Sequence, residues 1–162
     1  MTFFAYGYLQ AKVDVSELRV RIRALDASAG PVVVEEPVDT LHNFPPDLMP
    51  QDGSAVCFSI YDGPGRRGAQ YLLNGLDFAP DADIGLPTQA VQRLKLLTCL
   101  LNHLLAIPGV RRLAIALTDF DEIERVTVLS AGELERTIVE DCASYSPPNV
   151  LYVCDLPAAD RS

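Results

Sequence analysis

Pro87–Ile107 reads PTQAVQRLKLLTCLLNHLLAI, and Pro108-Gly109 separates it from Val110–Leu117, VRRLAIAL. The first stretch predicts a long helix. Proline is suited to a first helical turn, whose orphan N–H it does not need, and Pro-Gly is a helix stop. Val91, Leu94, Leu97, Leu101, Leu104 and Leu105 recur at helical spacing and form an inner stripe. Leu96 and Leu100 widen that stripe, which predicts a helix covered on more than one side. The second stretch predicts a buried strand. A helix of this kind running into such a strand is the spine of the fold.

Working toward the N-terminus, Ser54–Tyr61 alternates, with Val56, Phe58 and Ile60 on one side and Cys57, Ser59 and Tyr61 on the other. A glycine-rich turn at Asp62–Gly68 leads to Ala69–Leu73. Asn74-Gly75 is a hairpin signal, so Leu76–Phe78 is expected to turn back and the middle of the chain to form an antiparallel meander. Pro31–Glu36 (PVVVEE) is a β-branched strand. Pro37–Gly53, with Pro45, Pro46 and Pro50, is the longest irregular segment, and loops of that length often carry function. Thr2–Leu9, rich in Phe and Tyr, suits a first strand. Asp14-Val-Ser-Glu17 then resembles a capping box before Val15, Leu18, Ile22 and Leu25 at helical spacing. A strand is the rival reading, because Leu18, Val20, Ile22 and Ala24 alternate with Arg19, Arg21 and Arg23. The cap favours the helix.

Toward the C-terminus, Ser130-Ala-Gly-Glu133 is a second capping box, opening a helix through Leu134, Ile138 and Cys142. Pro147-Pro148 closes it, and Asn149–Cys154 is the last strand. The order β-α-β-β-β-α-β-α-β predicts an α+β fold: a mixed, mainly antiparallel sheet with about three helices packed on it. There is no internal repeat and no linker-like run, so residues 1–162 are expected to form a single domain.

Composition narrows the function. With 162 residues and 49% hydrophobic content, the chain has enough core to fold without disulfides or metals. A net charge of −9 weighs against nucleic acid, whose phosphates require clustered Lys and Arg. It suits solubility, and it favours encounter with a basic partner. Met1–Gln10 lacks the basic region of a signal peptide, and Leu94–Ile107 is too short and polar to span a bilayer. Cys57, Cys99, Cys142 and Cys154 are far apart in apolar segments and read as buried thiols of a reducing compartment. The expected location is the cytoplasm, with no membrane association.

No residue set points to catalysis. Gly63-Pro-Gly65-Arg-Arg-Gly68 matches G-x-G-x-x-G in letters, but strand-like residues follow it, so no helix N-terminus meets a phosphate. Cys99 and His103 are four apart on a helix, yet no second pair completes a zinc set, and a core histidine is the ordinary reading. Asp119-Phe-Asp121-Glu122-Ile-Glu124 follows a strand end where ligands often bind. It lacks a phosphate-cradling loop or basic clamp, and reads as an acidic surface loop. There is no G-x-S-x-G elbow. No enzyme activity, metal or cofactor is expected.

Charge is uneven along the chain. Asp119–Asp141 contains Asp119, Asp121, Glu122, Glu124, Glu133, Glu135, Glu140 and Asp141 against Arg125 and Arg136. Asp77, Asp81 and Asp83 form a second acidic stretch, and Arg19, Arg21 and Arg23 a basic strip. If the acidic stretches share a face, that face suits a basic protein. The expected contact residues are Asp119, Asp121, Glu122, Glu124, Glu133, Glu140, Asp77 and Asp81.

The tail Glu133–Cys154 (ELERTIVEDCASYSPPNVLYVC) and the acidic loop Asp119–Glu124 together resemble the small acidic immunity proteins that bacteria pair with secreted or contact-delivered toxins. The resemblance covers about a third of the chain. It implies a cognate toxin whose active site is blocked by carboxylates or by a docked loop, and it transfers no residue role. A reading of another class stands beside it: a small enzyme or ligand-binding domain with a pocket between the sheet and the Pro37–Gly53 loop. Its polar groups would be His42, Tyr61, Arg66, Arg67 or Asp119.

Overall fold

A computed structural model describes residues 2–25, 31–50, 55–61, 73–74, 88–119, 122–144 and 147–157. The elements are β1 (Thr2–Ala11), α1 (Val15–Arg23), β2 (Val32–Glu35), β3 (Ala55–Tyr61), β4 (Leu73–Asn74), α2 (Thr88–Leu105), β5 (Val110–Thr118), β6 (Arg125–Leu129), α3 (Leu134–Ser144) and β7 (Val150–Asp155). The sheet runs in the order β2-β3-β1-β5-β7-β6, with β4 pairing β1. Every pairing is antiparallel except β6 with β7. The fold is therefore α+β, with a mixed, mainly antiparallel sheet and, among the described residues, three α-helices.

The strict period of two sorts the strand side chains into two cores. Ala5 and Leu9 of β1, Val56, Phe58 and Ile60 of β3, Leu113, Ile115 and Leu117 of β5, and Val150, Tyr152 and Cys154 of β7 face the three helices. Tyr6, Tyr8, Cys57, Ala114, Ala116, Leu151 and Val153 face the other way. Across β1 and β5, Tyr6 is opposite Ala116 and Tyr8 opposite Ala114. The two small residues leave room for the two rings. Phe44 closes over them, its ring centroid 5.9 Å from that of Tyr6 and 6.2 Å from that of Tyr8.

The proline-rich segment is thus a covering layer rather than an irregular excursion. It forms two 3-10 turns, Val38–Leu41 and Pro46–Leu48, and buries Leu41 and Phe44. Tyr8 donates its hydroxyl hydrogen to the Leu48 carbonyl at 2.7 Å, and the Asn43 amide donates to the Tyr6 hydroxyl. Each buried hydroxyl gains a partner, and the loop is fixed at two points.

Residues 15–23 are helical. Leu18 and Ile22 are buried while Val20 is 63% exposed, which is the period of a helix and not of a strand. Asp14 caps through the Ser16 N–H at 3.2 Å, whereas Glu17 accepts from Arg21 at 2.8 Å, so the expected box is only half built.

Three further expectations are corrected. The strand β6 is additional; its alternating exposure hides it from a search for buried apolar runs, although Val126-Thr127-Val128 is β-branched. The middle of the chain is not a simple meander, because β3 joins β1 to β2 while Leu73 and Asn74 pair with Phe3 and Thr2. The glycine-rich turn and most of the proposed hairpin lie outside the described residues. Finally, α2 has one covered face, not two. Leu94, Leu97, Leu101 and Leu104 are fully buried, but Leu96 is 50% exposed, and Cys99 and His103 continue its outer stripe at i+3 and i+7. His103 is no core histidine, and Cys99 is no buried thiol.

A direct consequence is selective thiol chemistry. Cys57, Cys142 and Cys154 are buried, and burial pushes the Cys154 thiol up to about 12. One equivalent of a thiol reagent should label the native protein rapidly, at Cys99, and the remaining three only on unfolding. Peptide mapping of the fast-labelled product checks the site.

Candidate binding surface

The acidic loop and the Pro-Pro-Asn corner form one structural unit. Asn149 is buried and has φ 59°, a left-handed conformation that asparagine tolerates better than most residues. That turn brings its side-chain oxygen to the Asp119 N–H at 2.7 Å and its carbonyl to the Glu124 N–H at 2.8 Å. Both ends of the loop are therefore tied to the start of β7. Arg125, the first residue of β6, forms an ion pair with Asp141 of α3 at 2.9 Å. Asp141 also accepts from the Tyr152 hydroxyl at 2.7 Å. Burial, followed by that carboxylate, raises the Tyr152 phenol above its ordinary range.

These ties decide which of the expected residues meet. Chain direction reverses between β6 and α3, so the C-terminal turn of α3 returns to the Glu124–Arg125 end of the sheet. Glu122, Glu124 and Glu140 are exposed there. Asp119 is at the same end but half-buried, with Oδ1 enclosed and without a hydrogen-bond partner. Glu133 is not with them. It precedes Glu140 by seven residues, about 10 Å of helix, and its carboxylate accepts from the Ser130 hydroxyl at 2.7 Å and the Ser130 N–H at 3.1 Å. Asp77, Asp81 and Asp121 lie outside the described residues. The basic strip is largely paired, Arg19 with Glu35 at 2.9 Å and Arg21 with Glu17 at 2.8 Å.

The Ser130 hydrogen bonds hold the Glu133 carboxyl below its ordinary range. A depressed folded value contributes stability above the unfolded pKa, and that contribution is lost as pH falls through the folded value. Glu133→Gln should lower the melting temperature at pH 7, and the deficit should shrink once the pH drops below about 4.3. A thermal melt series across pH checks it; a deficit independent of pH would remove the ionised cap.

Beside the acidic end, β6 is the last strand of the sheet path among the described residues. Val126 is 39% and Val128 68% exposed. They are in register with Leu151 and Val153 of β7, which belong to the core under the proline-rich layer. The valines extend that apolar face beyond the layer's cover. An acidic rim beside an apolar strand edge can attract a basic protein at a distance and bury apolar area on contact.

A second feature lies at the same end of the sheet. A cavity of about 290 Å³ lies between the sheet and the proline-rich layer, lined by Phe4, Tyr6, Glu36, His42, Ser59 and Tyr61 among others. The Tyr61 hydroxyl donates to Glu36 Oε1 at 2.9 Å. The Tyr6 hydroxyl is 3.4 Å from Thr118 Oγ1, and Phe4 is the strand partner of Thr118. One peptide bond separates Thr118 from the acidic loop. His42 and Tyr61, the polar groups expected of a pocket here, do line it; Arg66 and Arg67 lie outside the described residues, and Asp119 is not in the lining. Glu36 is not among the expected polar groups; its sequence signal is its place between β2 and the Pro37–Gly53 loop, whereas Tyr6 lies within β1 and carries no such signal.

Among the described residues no helix is long and apolar enough to cross a membrane, and no group of three or more His, Cys, Asp or Glu side chains is placed to hold a metal ion. No protein-family model matches the chain, and no curated protein or solved structure matches it significantly. The functional reading therefore rests on the chain's own chemistry.

Proposed function

We propose that the chain is a non-catalytic cytoplasmic binding protein of the immunity type, which neutralises a basic toxin domain by docking it on the acidic end of the sheet. The observation that supports this best is that Glu122, Glu124 and Glu140 are exposed at the end of the sheet where Arg125 pairs with Asp141, with Val126 and Val128 exposed in the adjoining strand. Carboxylates at the C-terminal end of α3 oppose the helix dipole, and the exposed i,i+4 pair of Glu140 with Arg136 at 4.0 Å offsets that only weakly. A protein partner fits better than nucleic acid, because the exposed charge at this end is negative. The test uses the product of the adjacent gene, expressed alone and with this chain: toxicity alone, relief on co-expression and a salt-sensitive complex are expected.

The 290 Å³ cavity favours a second reading, that of a ligand-binding domain. Its polar lining meets the requirement for a small-molecule site, and its volume is at the foot of the usual range of about 300–1,000 Å³. The two readings join if the cavity receives a group carried by the partner.

A further inference from the structure

We propose that the cavity under the proline-rich layer is a guanidinium site, filled by an arginine side chain of the basic partner. This rests on the docking reading above and names the chemistry of its anchor.

Among the described residues Glu36 is the one carboxylate in the lining, and no lysine or arginine lines the cavity. The Tyr61 hydroxyl, donating to Oε1, fixes the carboxylate's direction. A carboxylate offers about four acceptor positions, so this bond leaves capacity for the fork of N–H groups on a guanidinium. The hydroxyls of Ser59 and Thr40 add acceptors in the same wall, and Phe4, Tyr6 and Tyr61 supply aromatic surface of the kind on which guanidinium stacks more readily than ammonium. An anion would meet Glu36 directly, and a neutral apolar group would desolvate its carboxylate while adding no donor to the Tyr61 hydroxyl. The volume suits a side chain rather than a nucleotide.

The walls are held before anything binds. Tyr6 accepts from Asn43 and packs on Phe44, while Ser59 is opposite Tyr6 in the β1–β3 register. Arginine is among the residues enriched at binding hot spots, which fill well-packed pockets. Phe4 of the lining is paired with Thr118, next to the acidic loop, so one partner can span both features.

The test begins on the isolated full-length chain, titrated with agmatine and followed by amide NMR. Shifts at Tyr6, Ser59 and Tyr61 with a millimolar Kd are expected, and Glu36→Gln should weaken binding at least tenfold. Carbamoylputrescine, which replaces the guanidine by a neutral urea, should leave those amides in place. Equal shifts from the urea analogue, which keeps the same ammonium, or none from agmatine, would overturn the guanidinium site without reference to any variant's folding. Saturating agmatine should then weaken the complex with the adjacent gene's product at least tenfold; unchanged affinity would overturn the assignment to a partner arginine. Because Glu122→Lys and Glu124→Lys leave Glu36 intact, failure of the acidic-end reading and failure of the cavity register separately.

Discussion

Gly7→Ala should all but abolish the folded state. Gly7 is in β1, between β3 and β5, paired with Phe58 on one side and Ile115 on the other. A Cβ at this position would be 1.8 Å from the Ala114 carbonyl oxygen and 2.8 Å from its carbon. Those atoms are backbone, and β5 is itself held by β7, so the contact cannot be relieved by rotating a side chain. Relief requires parting the two central strands, which breaks the ladder and opens both cores. A loss above about 4 kcal/mol is expected, comparable to the whole stability of many domains of this size. Gly132→Ala is the control: nothing lies within 4 Å of its added Cβ, and a change within about 0.5 kcal/mol is expected. Urea unfolding of the two variants checks both. Wild-type stability in Gly7→Ala would mean that the β1–β5 register is wrong.

Much of this fold is legible in the letters because strand and helix periods are local. Val56, Phe58 and Ile60 face the helices as their alternation requires, and Ser130 with Glu133 caps α3 as their spacing requires. What stays hidden depends on contacts distant in sequence. The Pro37–Gly53 segment reads as a loop, since its role as a core layer requires Tyr6 and Tyr8 to be facing it across separations of 37 and 40 residues. The exposure of Cys99 and His103 follows from α2 having a single covered face, which composition cannot reveal. The acidic surface is half legible for the same reason. Sequence proximity groups Glu133 with Glu140, but a helix separates their ends, whereas the Asn149 turn and the Arg125–Asp141 pair bring Glu122 and Glu124 to Glu140's end.

Reversal of those three exposed charges carries the largest expected functional effect. Glu122→Lys, Glu124→Lys and Glu140→Lys together convert the acidic end to a basic one without touching either core. Long-range attraction acts mainly on encounter, and favourable fields raise association rates by about 10- to 1,000-fold. The triple variant should therefore associate with the adjacent gene's basic product at least tenfold more slowly at low salt, and relief of toxicity should fail with it. Glu135→Lys, exposed in the first turn of α3 and so at the far end of that helix, changes net charge without changing this end. It should retain most of the wild-type rate. Side chains that only solubilise the chain would make the four sites equivalent per charge.

Stopped-flow association at ionic strengths from about 0.01 to 0.15 M, over which the screening length falls from about 30 to about 8 Å, tests the claim most directly. A steep fall in rate with salt is expected for the wild-type chain, and a shallow or inverted dependence for the triple variant. Identical rates and identical salt slopes in the two proteins would contradict it.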